Sequence, residues 1–162
     1  VQRVAGPAAA LAAALAMARA AGVQAIGHHD LGPELMPHLA EAAANAGLAL
    51  VAAGDGGEGA IASAEPLAAG LTRPELAVAQ VGALVHLARP GGGRLLSLMP
   101  PLHIALVATA DVLWDLTDLA AALADPPPAL NLITGPSKTG DIEAVMVRGV
   151  HGPGRVEVVL WD

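Results

Sequence analysis

The sequence predicts an α/β protein in which a mixed sheet lies between helices, in a three-layer α/β/α arrangement. Three observations support this fold class. Residues 8–53 alternate Ala-rich segments of helical length with short apolar runs, which is typical of parallel crossover units. Closely spaced apolar runs in the middle of the chain indicate antiparallel neighbours. The last third again alternates strand, polar loop, helical turn and strand.

The first half of the chain is predicted to form one crossover unit. Pro7 is tolerated in the first turn of a helix, and Gly22 and Gly47 are well placed to end helices. The predicted elements are a helix at 8–21, a strand at 23–27, a helix at 34–46 and a strand at 48–53.

The second half begins with an irregular stretch, because Pro66, Gly70 and Pro74 interrupt residues 54–74. Three apolar runs then predict an antiparallel meander, and a triple proline stops the helix that follows it. The predicted elements are strands at 82–88, 94–99 and 103–108, a helix at 111–124, a strand at 130–134, a helical turn or two around Ile142, Val145 and Met146, and a strand at 155–161.

Length and composition predict a single domain over residues 1–162, with a core of Leu, Val, Ile and Ala because Phe and Tyr are absent. A formal net charge of −7, without a cluster of Lys and Arg, counts against nucleic acid and anionic membranes. No run approaches the roughly 20 apolar residues of a membrane span, so we expect a cytoplasmic protein. Because the sequence begins at Val1 and not at Met, residues can precede it.

The absence of cysteine excludes disulfides, Cys-ligated zinc, Cys-ligated iron–sulfur clusters and thiol catalysis in this chain. We therefore expect no cofactor here, and any redox centre belongs to a partner protein. His28, His29 and His38 do not follow a known metal-ligand spacing and are interpreted as surface histidines. His103, at the start of a strand, is expected to be half-buried.

The glycine-rich stretch at 54–59 matches the spacing G-x-G-x-x-G but is not interpreted as a dinucleotide site. That site needs a long helix directly after the loop, and Pro66 interrupts within two turns. Asp55 and Glu58 would also repel a pyrophosphate.

The polar groups of the chain concentrate in residues 133–143 and 149–153, which follow a predicted strand. In open α/β sheets ligands bind beyond the carboxyl ends of strands, and this run offers backbone N–H groups, hydroxyls and the only lysine to a small anion. The candidate ligand-binding residues are Ser137, Lys138, Thr139, Asp141, Glu143 and His151, with Arg94 as the basic residue that follows three glycines.

Each of these candidates also has a purely structural interpretation. Thr139 can cap a short helix whose dipole Asp141 and Glu143 already satisfy. His151 can be an ordinary turn histidine, and Arg94 an ordinary hairpin flank. Spacing alone leaves both interpretations open.

Two motifs resemble a known family. The run Gly-Pro-Ser-Lys-Thr-Gly-Asp-Ile-Glu from Gly135, followed by Gly-Val-His-Gly-Pro from Gly149, resembles the C-terminal signature of the LUD domain, found in the lactate utilization protein C (LutC/YkgG) family. The resemblance extends to Gly-Gly-Gly-Arg-Leu-Leu-Ser-Leu-Met-Pro from Gly91, and covers about residues 71–162.

The resemblance implies a fold like the NagB/RpiA/CoA-transferase group. It also implies a cytoplasmic role in the oxidation of L-lactate to pyruvate beside partner proteins that carry iron–sulfur centres. Where the family usually has Glu-[Ser/Thr]-Gly-[Ser/Thr], this chain has Gln80, Val81, Gly82 and Ala83. Glu75 falls near another acidic position of the family pattern.

Three functions follow as hypotheses. The first is an accessory, non-redox subunit of a lactate-oxidising system that binds a small carboxylate or a partner through the polar loop, with Arg94 as anion clamp. The alternative is a free-standing enzyme of the sugar-phosphate isomerase or acyl/CoA-transfer type, with Glu143 or Asp141 as base. The third is a structural scaffold without a ligand.

Overall fold

The structure is a computed structural model that describes residues 1–53, 59–88, 92–125, 127–136 and 152–162, together with the backbone of 138–140 and 146–148. In chain order the elements are β1 (Gln2–Val4), α1 (Gly6–Ala20), β2 (Ala25–His28), α2 (Met36–Ala46), β3 (Ala49–Ala52), α3 (Ala60–Ala64), β4 (Ala69–Thr72), β5 (Leu76–Val78), β6 (Ala83–Leu87), α4 (Arg94–Leu98), β7 (Leu102–Ala108), a 3-10 turn (Thr109–Asp111), β8 (Val112–Leu113), α5 (Leu116–Ala122), β9 (Leu130–Ile133), β10 (Lys138–Gly140), β11 (Met146–Arg148) and β12 (Arg155–Trp161).

The described strands form two sheets and a hairpin. The main sheet has six parallel strands in the order β1-β12-β7-β4-β2-β3. A second sheet of four strands, β8-β5-β6-β9, has one parallel and two antiparallel pairings. Strands β10 and β11 pair antiparallel. The predicted α/β class is confirmed, and the mixed pairing lies in the second sheet.

Apolar packing arranges these elements in layers. Helices α1 and α2 cover one face of the main sheet, where Leu11 and Leu15, one turn apart, are fully buried with Ile104. On the opposite face, Val107 of β7 packs with Leu84 of the second sheet. Helix α5 in turn covers the outer face of the second sheet through Leu119. Helices and the second sheet therefore enclose the main sheet from both sides.

Helix α4 lies directly on β2 and β4 because two strand residues lack a side chain. A Cβ atom built on Gly70 would lie 2.1 Å from the carbonyl oxygen of Leu96, and one on Gly27 would lie 2.6 Å from Leu96 Cδ2. Real Cβ atoms do not approach other atoms so closely. The two glycines thus fix where α4 sits.

The elements predicted for the first half are confirmed to within about two residues, the usual uncertainty of element ends. Strand β1 was not predicted. The stretch interpreted as irregular contains β4, an inner strand of the main sheet whose four residues are all buried. Gly70 interrupts the apolar pattern because α4 packs closely on the strand there, and not because the segment is a loop.

The predicted antiparallel meander is wrong. The run predicted as a strand at 94–99 is helix α4, because a five-residue apolar segment fits a buried helix as well as a strand. Strand β7 is parallel to both of its neighbours, β4 and β12. Only β6, of the three predicted runs, pairs antiparallel, and its partners are β5 and β9.

The predictions for the last third are partly confirmed. Helix α5 begins later than predicted, because the Asp115 carboxylate accepts the backbone N–H groups of Thr117 and Asp118 and caps the helix there. Strand β9 is present, but alternate residues are exposed because it is a sheet edge. Met146 lies in strand β11 and not in a helical turn, while Ile142 and Val145 lie outside the described residues.

Gly70→Ala is expected to lower the free energy of unfolding by about 3 kcal/mol, since the added methyl group must push the α4 backbone off the sheet. Urea denaturation measures the change. Gly154→Ala is the matched control, because a Cβ there meets no atom within 4 Å. Equal stabilities of the two variants would contradict the close approach of α4.

Candidate functional site

The strand order creates a switch point between β2 and β4. From β2 the chain crosses to β3 on one side, and it then returns to form β4 on the other side of β2. Connections that leave in opposite directions open a crevice beyond the carboxyl ends of such strands, where ligands bind in open α/β sheets. Strand β2 ends at His28 and β4 ends at Thr72, so this edge is the candidate site.

His29 joins the two strand ends and supports α4. Its Nε2 atom accepts the backbone N–H of Arg73 at 3.0 Å, and the residue is only 8% exposed. A Cβ on Gly93 would lie 2.5 Å from His29 Cδ2, so only glycine fits there. Gly93 immediately precedes α4, and Arg94 is thereby brought to the same edge.

The Arg73 side chain ties together the loops of this edge. Its guanidinium pairs with Glu34 and, at 3.5 Å, with Asp111, and its Cζ atom lies 5.5 Å from the ring centroid of Trp161. It also donates to the Leu31 carbonyl oxygen at 3.4 Å. These groups follow or end strands β2, β7 and β12. Because two carboxylates already compensate its charge, we assign Arg73 a structural role and not anion binding.

A buried polar cluster lies directly behind the edge. The Thr72 hydroxyl is 2.8 Å from Nε2 of His103 and 3.2 Å from Nε2 of His86, and all three residues are at most 1% exposed. Glu75 Oε2 lies 4.0 Å from Nδ1 of His86 and accepts the backbone N–H of Leu87 at 2.8 Å. The cluster joins β4 and β7 of the main sheet to β6 of the second sheet.

Hydroxyl, imidazole and carboxylate are also the components of a nucleophilic triad, but this cluster cannot act as one. The Thr72 hydroxyl is fully buried and is hydrogen-bonded to an imidazole on each side. A nucleophile must reach its substrate. The cluster is therefore a buried polar network that holds the two sheets in register.

Burial, with smaller contributions from the neighbouring His86 and His29, lowers the pKa of His103 from its ordinary 6.5 to about 3. Among the described residues, Nδ1 of His103 has no hydrogen-bond partner. A proton added there would lie in a buried site without an acceptor. His103 is therefore neutral across the physiological range. It was predicted to be half-buried, and that was wrong: its exposed fraction is 0%.

The candidate residues from the sequence are only partly placed. Arg94 begins α4, is half-buried, and accepts the Ser97 hydroxyl on its carbonyl oxygen at 2.7 Å. In the β10–β11 hairpin, Lys138 is opposite Arg148 and Thr139 is opposite Val147. The candidates outside the described residues are Ser137, Asp141, Glu143 and His151.

One described neighbour of the polar loop lies close to α4. A Cβ on Gly152 would be 3.9 Å from the carbonyl oxygen of Leu98, at the carboxyl end of that helix. The convergence of the polar loop on Arg94 stays a prediction.

Sequence reasoning missed Thr72, Arg73 and His86, and it treated His29 as a surface histidine although it is buried. Two signals were available. His86 interrupts the apolar run of β6, and His103 stands near the start of the apolar run of β7. A histidine inside a buried strand needs a polar partner, but the partner's identity depends on the fold.

The altered segment at Gln80, Val81, Gly82 and Ala83 forms the turn between β5 and β6. Gln80 is exposed and donates its backbone N–H to the carbonyl oxygen of Trp114 at 2.9 Å. Gly82 has a φ of 60°, a conformation that favours glycine. In this chain the segment thus makes a turn and begins a strand.

Within the described part of the chain, no group of three or more His, Cys, Asp or Glu residues could hold a metal ion. His38 is exposed on α2, and His28 donates through Nδ1 to the His29 carbonyl oxygen at 3.1 Å. None of the helices in the described residues has the length and apolar character needed to span a membrane.

His103 is expected to make folding sensitive to acid. Folding depresses its pKa, so its contribution to stability is fully present above the unfolded pKa of 6.5 and is lost as the pH falls toward about 3. His103→Leu should flatten the dependence of unfolding free energy on pH in this window by about 1.4 kcal/mol per pH unit. Urea titrations at several pH values measure the slope.

His38→Gln is the control for this measurement, because His38 is exposed and should leave the slope unchanged. An unchanged slope in the His103 variant would show that folding does not lower the pKa of His103.

Comparisons with known proteins indicate the same family as the sequence motifs. The sequence model of the LUD domain matches residues 3–161. Curated relatives called lactate utilization protein C include those of Exiguobacterium sp., 38% identical over 56% of this chain and 43% of the relative, and Macrococcus caseolyticus, 37% identical over 61% and 46%. The relative from Bacillus subtilis is 34% identical over 65% and 47%.

The chain thus spans about half the length of the curated relatives that it matches. Among solved structures, a DUF162 family protein from Deinococcus radiodurans is similar, with 19% identity, 96% of this chain and 98% of that chain covered, and a TM-score of 0.49.

Proposed function

The chain belongs to the LUD domain family, and we propose that it serves lactate utilization as a cytoplasmic component that has no redox centre of its own and binds a small carboxylate. The names of the relatives support the process. Oxidation of lactate to pyruvate releases two electrons. A chain without cysteine cannot hold a Cys-ligated iron–sulfur cluster to receive them, so the proposal assigns the electrons to partner proteins.

The placement of Arg94 is the observation that carries the ligand part of the proposal. Gly93 packs against the His29 ring at the switch point, and Arg94 follows it as the first residue of α4. A guanidinium recognises a carboxylate through two parallel hydrogen bonds. The proposal adds the polar loop, with Ser137, Lys138 and Thr139, as the opposite side of the site.

The β10–β11 hairpin also bears on the ligand part of the proposal. Its backbone register pairs Lys138 with Arg148, two basic residues. The proposal assigns this basic pair of positions to the binding of the carboxylate. In the proposal Asp141, Glu143 and His151 border the same loop and orient the ligand.

Arg94→Gln should weaken lactate binding by about tenfold or more, because a hydrogen bond to a charged group contributes about 1.5–3 kcal/mol. Isothermal titration calorimetry with lactate and pyruvate measures the affinity. Arg19→Gln is the matched control, since Arg19 is exposed near the end of α1, on the side of the sheet from which β2 starts. Unchanged affinity in the Arg94 variant, or no binding by the unaltered protein, would refute the ligand part.

Two experiments distinguish the accessory role from the enzymatic alternative. If the chain is an accessory subunit, we expect iron–sulfur proteins to co-purify with the tagged chain from cells grown on lactate. Turnover of a sugar phosphate or acyl-CoA by the chain alone would instead support the isomerase or transferase.

A further inference from the structure

The segment from Thr72 to Glu75 leads away from the candidate site, and most of its polar groups form hydrogen bonds. Thr72 is bonded to two imidazoles, and the Arg73 N–H donates to His29. The Glu75 N–H donates to the Val85 carbonyl oxygen at 3.0 Å, and its carboxylate accepts the Leu87 N–H. Both sheets therefore fix the exit of β4 at the switch point.

The Thr72 hydroxyl carries one proton but faces two Nε2 atoms. With both rings neutral, one Nε2 must accept that proton in a hydrogen bond, and the other must donate its own N–H to the hydroxyl oxygen. The two histidines must therefore be opposite tautomers. The three residues form a hydrogen-bond chain from His86 through Thr72 to His103. Its direction depends on which ring accepts the hydroxyl proton.

Glu75 decides the direction. Its carboxylate lies 4.0 Å from Nδ1 of His86, and a nearby negative charge favours a proton on that nitrogen. Nε2 of His86 is then the acceptor for the Thr72 hydroxyl, and Nε2 of His103 donates to the hydroxyl oxygen, which lies 2.8 Å away. Nδ1 of His103, which has no partner in the described part of the chain, then carries a lone pair and not an unpaired N–H.

We propose that Glu75 and His86 are positioning residues for the candidate ligand site: they orient the hydrogen-bond chain through Thr72 to His103 and thereby hold the exit of β4 beneath the bound carboxylate. This inference rests on the proposed function for its effect on ligand affinity. Its structural content is independent of the ligand.

The direction of the chain is tested by the tautomers. In long-range proton–nitrogen correlation spectra of the 15N-labelled protein at neutral pH, His86 should show a protonated Nδ1 and an unprotonated Nε2. His103 should show the reverse. The same tautomer in both rings, or the opposite assignment, would overturn the proposal.

Glu75→Gln keeps the shape of the side chain and an acceptor for Leu87 but removes the charge beside His86. The expected result is a second set of His86 and His103 signals from the reversed chain. Glu41→Gln, an exposed carboxylate on α2, is the matched control and should leave both rings unchanged. Unaltered tautomers in the Glu75 variant would overturn the role of the charge.

Lactate affinity tests the positioning role. If only about one third of the Glu75→Gln molecules keep the competent arrangement, the dissociation constant rises about threefold. Thr72→Val should weaken binding at least as much, whereas Thr72→Ser keeps the hydroxyl and should restore both the tautomers and the affinity. Thr117→Val, on an exposed helical turn, controls for the change of side chain.

The two failures are distinguishable. If the unaltered protein binds no lactate, the proposed function fails, and the tautomers and their response to Glu75→Gln decide the inference alone. If lactate binds normally to a Glu75 variant whose tautomers have reversed, the positioning role is refuted while the function stands. If Thr72→Val does not fold, the Glu75 and Thr72→Ser variants still decide.

Discussion

The close contact of helix α4 with strands β2 and β4 of the main sheet determines where the candidate site can lie. Gly70 and Gly27 leave no side chain between the strands and Leu96, so the helix backbone rests on β4 itself. That position sets Gly93 against the His29 ring and delivers Arg94 to the switch point. The helix has only five residues and little stability of its own. Its position comes from packing, and the site depends on that packing.

Behind this contact, the two sheets meet through polar groups as well as apolar ones. If the interface between the two sheets were entirely apolar, one sheet could slide over the other, because hydrophobic contacts are not directional. The hydrogen bonds of Thr72 with His86 and His103 are directional and exist in one register only. The same burial that gives them this specificity keeps His103 uncharged and makes the interface sensitive to acid. Burial of this cluster therefore favours a single register of the two sheets but lowers the stability of the protein in acid.

The sequence predicted the parts of the fold whose signals are local. Pro7, Gly22 and Gly47 mark helix ends by their backbone preferences, and the first crossover unit was placed accordingly. Helix α4 and strand β4 were missed because four or five residues carry no usable period, and their type is decided by what packs on them. For the site, the sequence proposed Arg94 at a strand-end cleft, and its role in binding stays a prediction. The cluster around Thr72 was not predicted, since its histidines lie 14 and 31 residues away along the chain.

The order of the strands also governs when the sheet can be completed. Strand β1 pairs with β12, so that Gln2 lies opposite Val159, and β12 is also the partner of β7. A ribosome releases β1 long before β12, because nearly all the described elements lie between them. Contacts of such sequence separation form slowly, because the intervening chain must be closed first. The edges of β1 and β7 that pair with β12 therefore stay unpaired until β12 emerges, and in that interval they are open to chaperones or to pairing with other chains.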